Sequence, residues 1–234
     1  MAQAQASSVL TAEVARFDAL AARWWDPAGP MRPLHAMNPL RIGWISARLR
    51  GPGGRLLDVG CGAGLAAEAL ARRGFSVLGI DAAGEALAVA RAHAEGKGLP
   101  LDYREATAED LVAEGVRFPA ITALEVIEHV ADPAAFVATL ARLLEPGGKV
   151  FFSTLNRTPR AFLTAKLGAE YVLRLLPVGT HDYSRFVRPA ELSGYLRAAG
   201  LRVSDLAGMA PDVVRGGWRI SRDVGVNYIA MAEG

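Results

Sequence analysis

The sequence of 234 residues lacks several features that would restrict its function directly. It contains one cysteine, Cys61, which excludes a disulfide within the chain and is typical of a reducing compartment. It contains no run of about 18 apolar residues, so no segment is predicted to span a membrane. Lys and Arg number 26 against 24 Asp and Glu, and no basic block with interleaved aromatic residues occurs. A nucleic-acid groove is therefore not expected.

The first nine residues also lack a basic stretch followed by an apolar one, and they are poor in Arg. This pattern predicts neither a secretory signal nor a transit peptide. Apolar residues make up 51% of the chain, which is enough to build a large core in a single domain or in one domain with a small addition.

Apolar runs alternate with helical patterns through the middle of the chain. Strands are predicted at 55–59, 76–81, 101–104, 120–124 and 149–154, and helices at 12–25, 40–49, 65–73, 85–95 and 133–144. Apolar strands separated by helices indicate an α/β protein whose parallel sheet is covered on both faces. Two further strands, 201–206 and 226–231, have no helical crossover between them and are expected to form an antiparallel pair. Ligands of such sheets bind beyond the carboxyl ends of the strands.

The most informative stretch is a glycine-rich turn between the first strand and the helix that follows it. It reads Gly60-Cys61-Gly62-Ala63-Gly64, and the second strand ends about 20 residues later in Asp81. Alternate glycines let a backbone pass close to a ligand, and an acid at this distance suits a pair of ribose hydroxyls. A dinucleotide site requires the different spacing G-x-G-x-x-G. The pattern therefore favours S-adenosylmethionine (SAM) over NAD.

Two charged residues are further candidates for contact with this ligand or its turn. Asp58 ends the first strand and is expected to brace the turn by accepting N–H groups. Arg41 could hold a carboxylate through two parallel hydrogen bonds, which would suit the methionyl carboxylate of SAM. A surface charge on a helix is the alternative for Arg41. Cys61 is interpreted as a small residue in a crowded turn rather than as a nucleophile.

Three polar residues, Glu125, Glu128 and His129, follow the fourth strand. If this segment is one helical turn, they share a face. Two carboxylates and one imidazole could then bind a divalent cation, or they could supply a general base and the group that orients it. A solvated polar turn is the third interpretation.

Of the four remaining candidates, two have two interpretations each and two have a single one. His181 and Asp182 either line the mouth of a substrate site or make surface hydrogen bonds. Residues 33–39 are predicted to be a loop that closes over the site, and His93 is predicted to face solvent. Segment 160–176 is helical and strongly apolar with three basic residues, so it either lies in a membrane interface or forms a lid on the sheet.

Taken together, these motifs resemble those of class I SAM-dependent methyltransferases. That resemblance rests on Leu57 to Gly64, Asp81, Glu128-His129-Val130 and Pro146-Gly147-Gly148. Within the class, the chain resembles the ubiquinone-biosynthesis O-methyltransferase family over about residues 17–228. The narrower resemblance rests on Arg23-Trp24-Trp25-Asp26-Pro27, on residues 33–41, 152–157, 168–171 and 179–182, and on Val226-Asn227-Tyr228.

The resemblance implies a three-layer, Rossmann-like methyltransferase fold with a mostly parallel seven-stranded sheet and an antiparallel C-terminal strand pair. It implies that residues 1–54 form a helical cap and lid. Residues 55–234 then form the methyltransferase domain, in which 157–187 are an inserted amphipathic segment.

The resemblance also implies a cofactor and a site. SAM is expected to contact Arg41, Asp58, Gly60, Gly62, Gly64, Asp81 and Leu124. A divalent metal such as Mg or Zn is expected at Glu125, Glu128 and His129 in at least some members. The same three residues are the expected catalytic groups, and without a metal His129 is the expected base. The implied reaction is methylation of a phenolic hydroxyl on a polyprenyl catechol and on 3-demethylubiquinol.

A polyprenyl tail stays in the bilayer, so the resemblance implies that the enzyme meets its substrate at a membrane. The expected location is the bacterial cytoplasm with peripheral contact to the inner membrane through residues 160–176, and membership of a ubiquinone-biosynthesis complex is a further expectation. The alternatives are C-methylation of a quinol ring, O-methylation of soluble phenols, and a noncatalytic SAM- or lipid-binding role in such a complex.

Overall fold

The structure is a computed structural model that describes residues 8–49, 51, 53–164, 183–212, 214 and 216–234. Within these residues eight strands form one sheet. The strands are β1 (Arg55–Val59), β2 (Ser76–Asp81), β3 (Leu101–Glu105), β4 (Phe118–Leu124), β5 (Leu144–Leu155), β6 (Arg202–Pro211), β7 (Trp218–Ser221) and β8 (Asn227–Glu233). Their order across the sheet is β3-β2-β1-β4-β5-β8-β6-β7.

The helices pack on both faces of this sheet. They are α1 (Thr11–Leu20), α2 (Arg32–Ser46), α3 (Leu65–Ala71), α4 (Gly84–Ala94), α5 (Ala108–Ala113), α6 (Pro133–Leu143), α7 (Pro159–Phe162) and α8 (Pro189–Ala198). Short 3-10 turns occur at Ala21–Arg23, Ile127–His129 and Tyr183–Arg185. Two apolar cores result, one between the sheet and α5, α6 and α8, the other between the sheet and α2 and α3.

The strand directions confirm the predicted α/β class. Strands β1 to β5 are parallel to one another, whereas β8 is inserted antiparallel between β5 and β6. The expected antiparallel pair is therefore β6 and β8. The sheet has one strand more than the predicted seven, because the four-residue strand β7 pairs with β6 at the edge. So short a strand, preceded by two glycines, carries little apolar periodicity.

Local sequence explains where several helices begin. Thr107 and Asp110 form a reciprocal capping box at the start of α5. The Asp132 carboxylate accepts the backbone N–H groups of Ala134 and Ala135 at the start of α6. Helix α8 begins with Pro189, whose missing N–H costs nothing in the first turn. The sequence predicted no element at either α5 or α8.

The structure corrects the prediction of a loop at residues 33–39. These residues belong to α2, which begins at Arg32 and contains Pro39 in its interior. Pro33 lies in the first turn of this helix, where the missing N–H leaves no hydrogen bond unmade. The prediction of a loop at these residues is therefore wrong, because the helix accommodates both Pro33 and Pro39.

The segment predicted as a helix over 160–176 is described only in part. Helix α7 ends at Phe162, and the structure describes the chain as far as residue 164. The rest of that segment, together with His181 and Asp182, lies outside the described residues. None of the described helices is both long enough and apolar enough to cross a bilayer.

Candidate active site

A cavity of about 830 Å³ opens where the parallel strands end at their carboxyl side. Gly60 and Gly62 border it after β1, Asp81 borders it at the end of β2, and residues 124–126 and 128–130 border it after β4. Helices α1 and α2 cover part of its mouth with residues such as Phe17 and Met37. The cavity thus lies where the fold class places ligands.

The turn after β1 needs glycine for both conformation and space. Gly60, Gly62 and Gly64 have φ of +68°, +53° and +86°, in the left-handed region that glycine adopts at no cost. A Cβ on Gly62 would lie 2.4 Å from the Trp24 ring, and one on Gly64 would lie 1.9 Å from the Tyr103 hydroxyl oxygen. Gly62 and Gly64 therefore leave space for the side chains of Trp24 and Tyr103, in addition to letting a ligand come close to the backbone.

The carboxylate of Asp81 holds this turn in place. Its Oδ2 accepts the backbone N–H of Gly62 at 2.7 Å, and its Oδ1 accepts that of Ala83 at 2.8 Å. Burial raises the pKa of Asp81, while these two hydrogen bonds oppose the rise. Each carboxylate oxygen can accept a second bond, so Asp81 can receive two hydroxyl groups without releasing the turn.

Two buried charged residues near the cavity, Arg41 and Asp58, each have one polar atom without a hydrogen-bond partner among the described residues. Arg41 is 3% exposed; its Nη1 lies 3.6 Å from Oε1 of Glu125, and within the described chain its Nε has no partner. Asp58 accepts the Thr122 hydroxyl at 2.6 Å through Oδ1. Its Oδ2 has no hydrogen-bond partner of acceptable geometry among the described residues. Burial raises the pKa of Asp58 to about 6.

The three polar residues after β4 do not form one helical turn. Glu125 has φ of +57°, which is rare for a residue other than glycine, and the 3-10 turn begins two residues later at Ile127. The Glu125 carboxylate accepts the Ser153 hydroxyl at 2.6 Å, and the Glu128 carboxylate accepts the Thr154 hydroxyl at 2.9 Å. Consecutive residues of β5 point to opposite faces of the sheet. The two carboxylates therefore have separate hydrogen-bond partners on β5.

His129 faces a third partner, on the N-terminal helix. Its Nδ1 lies 2.9 Å from Oε2 of Glu13, and its ring meets that of Phe17 edge to face at 5.4 Å. In the described part of the chain, no three His, Cys, Asp or Glu side chains are grouped so that they could hold a metal ion. The arrangement of Glu125, Glu128 and His129 thus does not fit the metal site that the resemblance implies, because each side chain is engaged elsewhere.

Burial and charge make two of these groups suitable for proton transfer. Burial and the nearby Glu125 carboxylate raise the pKa of Glu128 to about 7. Burial lowers the pKa of His129, but the Glu13 and Glu128 carboxylates outweigh that effect and raise it overall. The hydrogen bond and the charge of His129 lower the pKa of Glu13 in return. A pKa of about 7 places the Glu128 carboxyl between its two protonation states near neutral pH, which suits acid–base catalysis, and the raised pKa of His129 makes its imidazole a stronger base.

The N-terminal segment contributes residues that motif reasoning did not assign to the site. Trp24 packs on Gly62, and the Trp25 indole N–H donates to the Ala63 carbonyl at 2.9 Å. Glu13 and Phe17 contact His129. The adjacent tryptophans were the available signal, since paired aromatics in a short helical segment indicate a buried contact.

Seven of the ten predicted site residues border the cavity. These are Gly60, Gly62, Asp81, Leu124, Glu125, Glu128 and His129. Arg41, Asp58 and Gly64 do not border it, but Arg41 lies 3.6 Å from Glu125, which does. His35 contacts the Trp24 carbonyl oxygen from within α2. His93 does not simply face solvent as predicted, because its ring stacks on Trp25 at 3.4 Å and its Nδ1 pairs with the buried Glu68.

Comparison with known proteins shows the class of protein to which the chain belongs. Residues 36–206 match the family model described as a methyltransferase domain, so the chain belongs to that family. The fold agrees with that of magnesium protoporphyrin IX methyltransferase from Synechocystis with bound SAM. The TM-score is 0.64 at 17% identity, over 96% of this chain and 98% of that one. A methyltransferase from Haloferax volcanii, in complex with its Trm112 activator, gives a TM-score of 0.64 at 21% identity, over 93% and 96% of the two chains.

Closer relatives define the particular family. The chain is 51% identical to the ubiquinone biosynthesis O-methyltransferase of Xanthomonas axonopodis pv. citri, over 98% of this chain and 96% of that protein. It is 48% identical to the protein of that name from Stutzerimonas stutzeri, over 96% and 97%. The chain therefore belongs to the ubiquinone biosynthesis O-methyltransferase family.

Proposed function

We propose that the protein transfers the methyl group of SAM to a phenolic hydroxyl of a polyprenyl catechol and of 3-demethylubiquinol. The observation that carries this proposal is a single cavity that joins two sets of residues. The glycine turn and Asp81 border it at one side, and Glu128 and His129, whose pKa values favour proton transfer, border it at the other. The names of the relatives support the phenolic substrate.

The donor is proposed to lie across the carboxyl ends of β1, β2 and β4. Asp81 would accept the ribose hydroxyls, and Leu124 would pack against the adenine ring. The methionyl carboxylate would bind Arg41, whose Nε has no partner within the described chain. An incoming carboxylate would complete the hydrogen bonds of this guanidinium, and such charge-assisted pairs are among the stronger polar contacts.

The reaction is an in-line displacement on the sulfonium methyl. The phenolic oxygen forms the new O–C bond, the S–C bond breaks, and S-adenosylhomocysteine leaves. The phenolic proton passes to His129, which the Glu13 carboxylate holds through its Nδ1, and Glu128 is a second acceptor beside it. Most of the rate enhancement would come from holding the oxygen in line with the methyl group. The described residues do not fit a metal at Glu125, Glu128 and His129, and no step here depends on one.

The experiment compares the native protein with His129→Gln and Glu128→Gln. Each protein is incubated with SAM and a short-tailed demethylubiquinol, and the product is analysed by mass spectrometry while SAM affinity is measured by calorimetry. We expect each variant to lose at least tenfold in kcat with little change in SAM affinity, as is typical when an acid–base group is removed. Glu114→Gln, at an exposed pair with Arg104, is the matched control.

Two outcomes would contradict the proposal. Native activity in both variants would show that neither Glu128 nor His129 has the proposed role in proton transfer. A product methylated on ring carbon, or no methylated product from the native protein, would favour the alternatives of C-methylation or a noncatalytic binding role.

The division of the chain is also a proposal. Residues 1–54 would act as a helical cap on the methyltransferase domain of 55–234, which is supported by the contacts of Trp24 and Trp25 with the glycine turn. The inserted segment 157–187 would meet the inner membrane from the bacterial cytoplasm and admit the polyprenyl tail. Support comes from Leu163, which is 53% exposed, and from Arg160 and Thr164 nearby, which border the cavity. A place in a ubiquinone-biosynthesis complex is part of the same proposal.

A further inference from the structure

Asn227 is a buried polar residue in the cavity that the proposed reaction leaves without a role. It begins β8, borders the cavity and is 4% exposed. Its cavity neighbours Met37, Met209 and Trp218 offer few polar atoms to an amide. A polar side chain in such surroundings costs free energy unless its hydrogen-bonding groups are satisfied.

The amide of Asn227 is not satisfied by the protein. Its Nδ2 donates only a weak hydrogen bond, to the Met37 sulfur at 3.4 Å, and its Oδ1 has no partner within the described residues. Turning the amide over would leave the NH2 group unsatisfied instead. In either orientation one polar group is buried without a partner, which is uncommon in native proteins and calls for an explanation such as a ligand.

The position of Asn227 indicates which ligand group it would meet. Strands β4 and β5 separate β8 from β1, so Asn227 lies about 14 Å across the sheet from the glycine turn. It pairs with Leu155 in the register of β5 and β8, so its side chain lies on the face of Leu155 and of Ser153, whose hydroxyl binds Glu125, and not on the face of Thr154 and Glu128. Asn227 is therefore remote from the donor's nucleoside, and it borders the same cavity as Glu125 and the proposed proton acceptors, where the phenolic ring would lie.

We infer that Asn227 determines specificity by accepting, through Oδ1, a hydrogen bond from the second hydroxyl of a catechol, the one next to the reacting oxygen. This inference rests on the proposed function. A catechol would satisfy the buried amide, whereas a phenol without the second hydroxyl would leave it unpaired. Sites that leave a buried polar group unpaired discriminate strongly against the deficient substrate.

The test is the ratio of kcat/KM for two substrates, a catechol with a short prenyl chain and the matching phenol without the second hydroxyl. We expect the native protein to prefer the catechol by about ten- to a hundredfold, and Asn227→Leu to bring the ratio close to one. Asn156→Ser is the matched control, because Asn156 is equally buried but donates its amide to the Val224 carbonyl. It should keep the native ratio even if its absolute rate falls.

The outcomes separate this inference from the proposed function. If the native protein methylates neither substrate, the proposed function fails. If it methylates both and Asn227→Leu keeps the native ratio, the inference alone is wrong.

Thermal unfolding provides a readout that does not depend on turnover. We expect Asn227→Leu to unfold a few degrees higher than the native protein, because it removes an unsatisfied buried amide. The catechol should raise the unfolding temperature of the native protein more than that of the variant. Equal shifts in the two proteins, or a lower unfolding temperature for the variant, would contradict the inference.

Discussion

At the scale of single residues, the site concentrates charges that are buried before any ligand arrives. Arg41, Asp58 and Glu128 are each at most 5% exposed, and Arg41 Nε and Asp58 Oδ2 have no hydrogen-bond partner among the described residues. Buried groups of this kind shift their pKa values and destabilise the folded state. Their presence around one cavity is typical of a site built for a polar ligand rather than for stability.

Asp58 provides a direct test of this cost. Burial raises its pKa to about 6 from an ordinary value of 3.8, so folding favours the protonated carboxyl. Its contribution to the free energy of unfolding is greatest below pH 3.8 and is lost as the pH rises through about 6. We expect Asp58→Asn, which keeps the acceptor for Thr122, to become increasingly favourable over this range, by at most about 3 kcal/mol.

The measurement is the free energy of unfolding of both proteins by urea at pH 5 and at pH 8. The advantage of the variant should be larger at pH 8. An advantage that does not change with pH would mean that Asp58 is ionised in the folded protein at both values.

At the scale of elements, the central strands and their helices were predictable because their apolar runs alternate regularly. Strands β1 and β2 begin and end where the pattern predicts. Three features were not predictable from local pattern: Pro39 inside α2, the short edge strand β7, and the left-handed Glu125. Each depends on contacts with distant parts of the chain, which outweigh local preference.

The site was predictable to a similar extent and for similar reasons. The glycine turn and Asp81 follow from spacing along two neighbouring strands. The contact between Glu13 and His129 joins residues more than a hundred positions apart in the sequence, and the hydrogen bonds of Glu125 and Glu128 depend on two different residues of β5. No local pattern encodes either of these.

The attachment of the N-terminal segment to the glycine turn leads to a prediction about donor binding. Trp25→Phe removes the hydrogen bond to the Ala63 carbonyl, worth about 1 kcal/mol. If the segment and the donor support the same turn, SAM affinity should fall about fivefold. The measurement is calorimetric titration with SAM.

The chain offers a control in Trp44, which is buried and whose indole N–H has no partner among the described residues. Trp44→Phe should leave SAM affinity close to native. An equal loss in both variants would indicate general destabilisation rather than a specific contact with the turn.

At the scale of the whole molecule, the sheet separates the two main apolar cores of the described residues, and the cavity of the proposed site lies at its carboxyl edge. Parallel strands bring the proposed donor residues to this edge, and the antiparallel strands beside β5 extend it toward the proposed substrate. The covered faces are occupied by helices, so ligand access must come from the strand ends or from the side of α7. That side is where the proposed membrane contact lies.

Leu163 tests this orientation. We expect Leu163→Ser to reduce partition of the protein onto vesicles of anionic phospholipid by roughly three- to tenfold, because it removes an exposed apolar side chain from the proposed contact. Sedimentation with vesicles measures the partition. Leu206→Ser, at a half-exposed leucine on β6, is the control and should partition like the native protein. Equal partition of all three proteins would exclude Leu163 from the contact.

The lone thiol of the chain has a practical consequence. Cys61 lies inside the glycine turn, is buried, and has a pKa raised well above 9.0 by that burial. A maleimide or disulfide reagent can therefore modify it only when the turn opens. The rate of labelling therefore reports how often the turn opens, and no cysteine has to be introduced to measure it. A bound methyl donor should lower this rate.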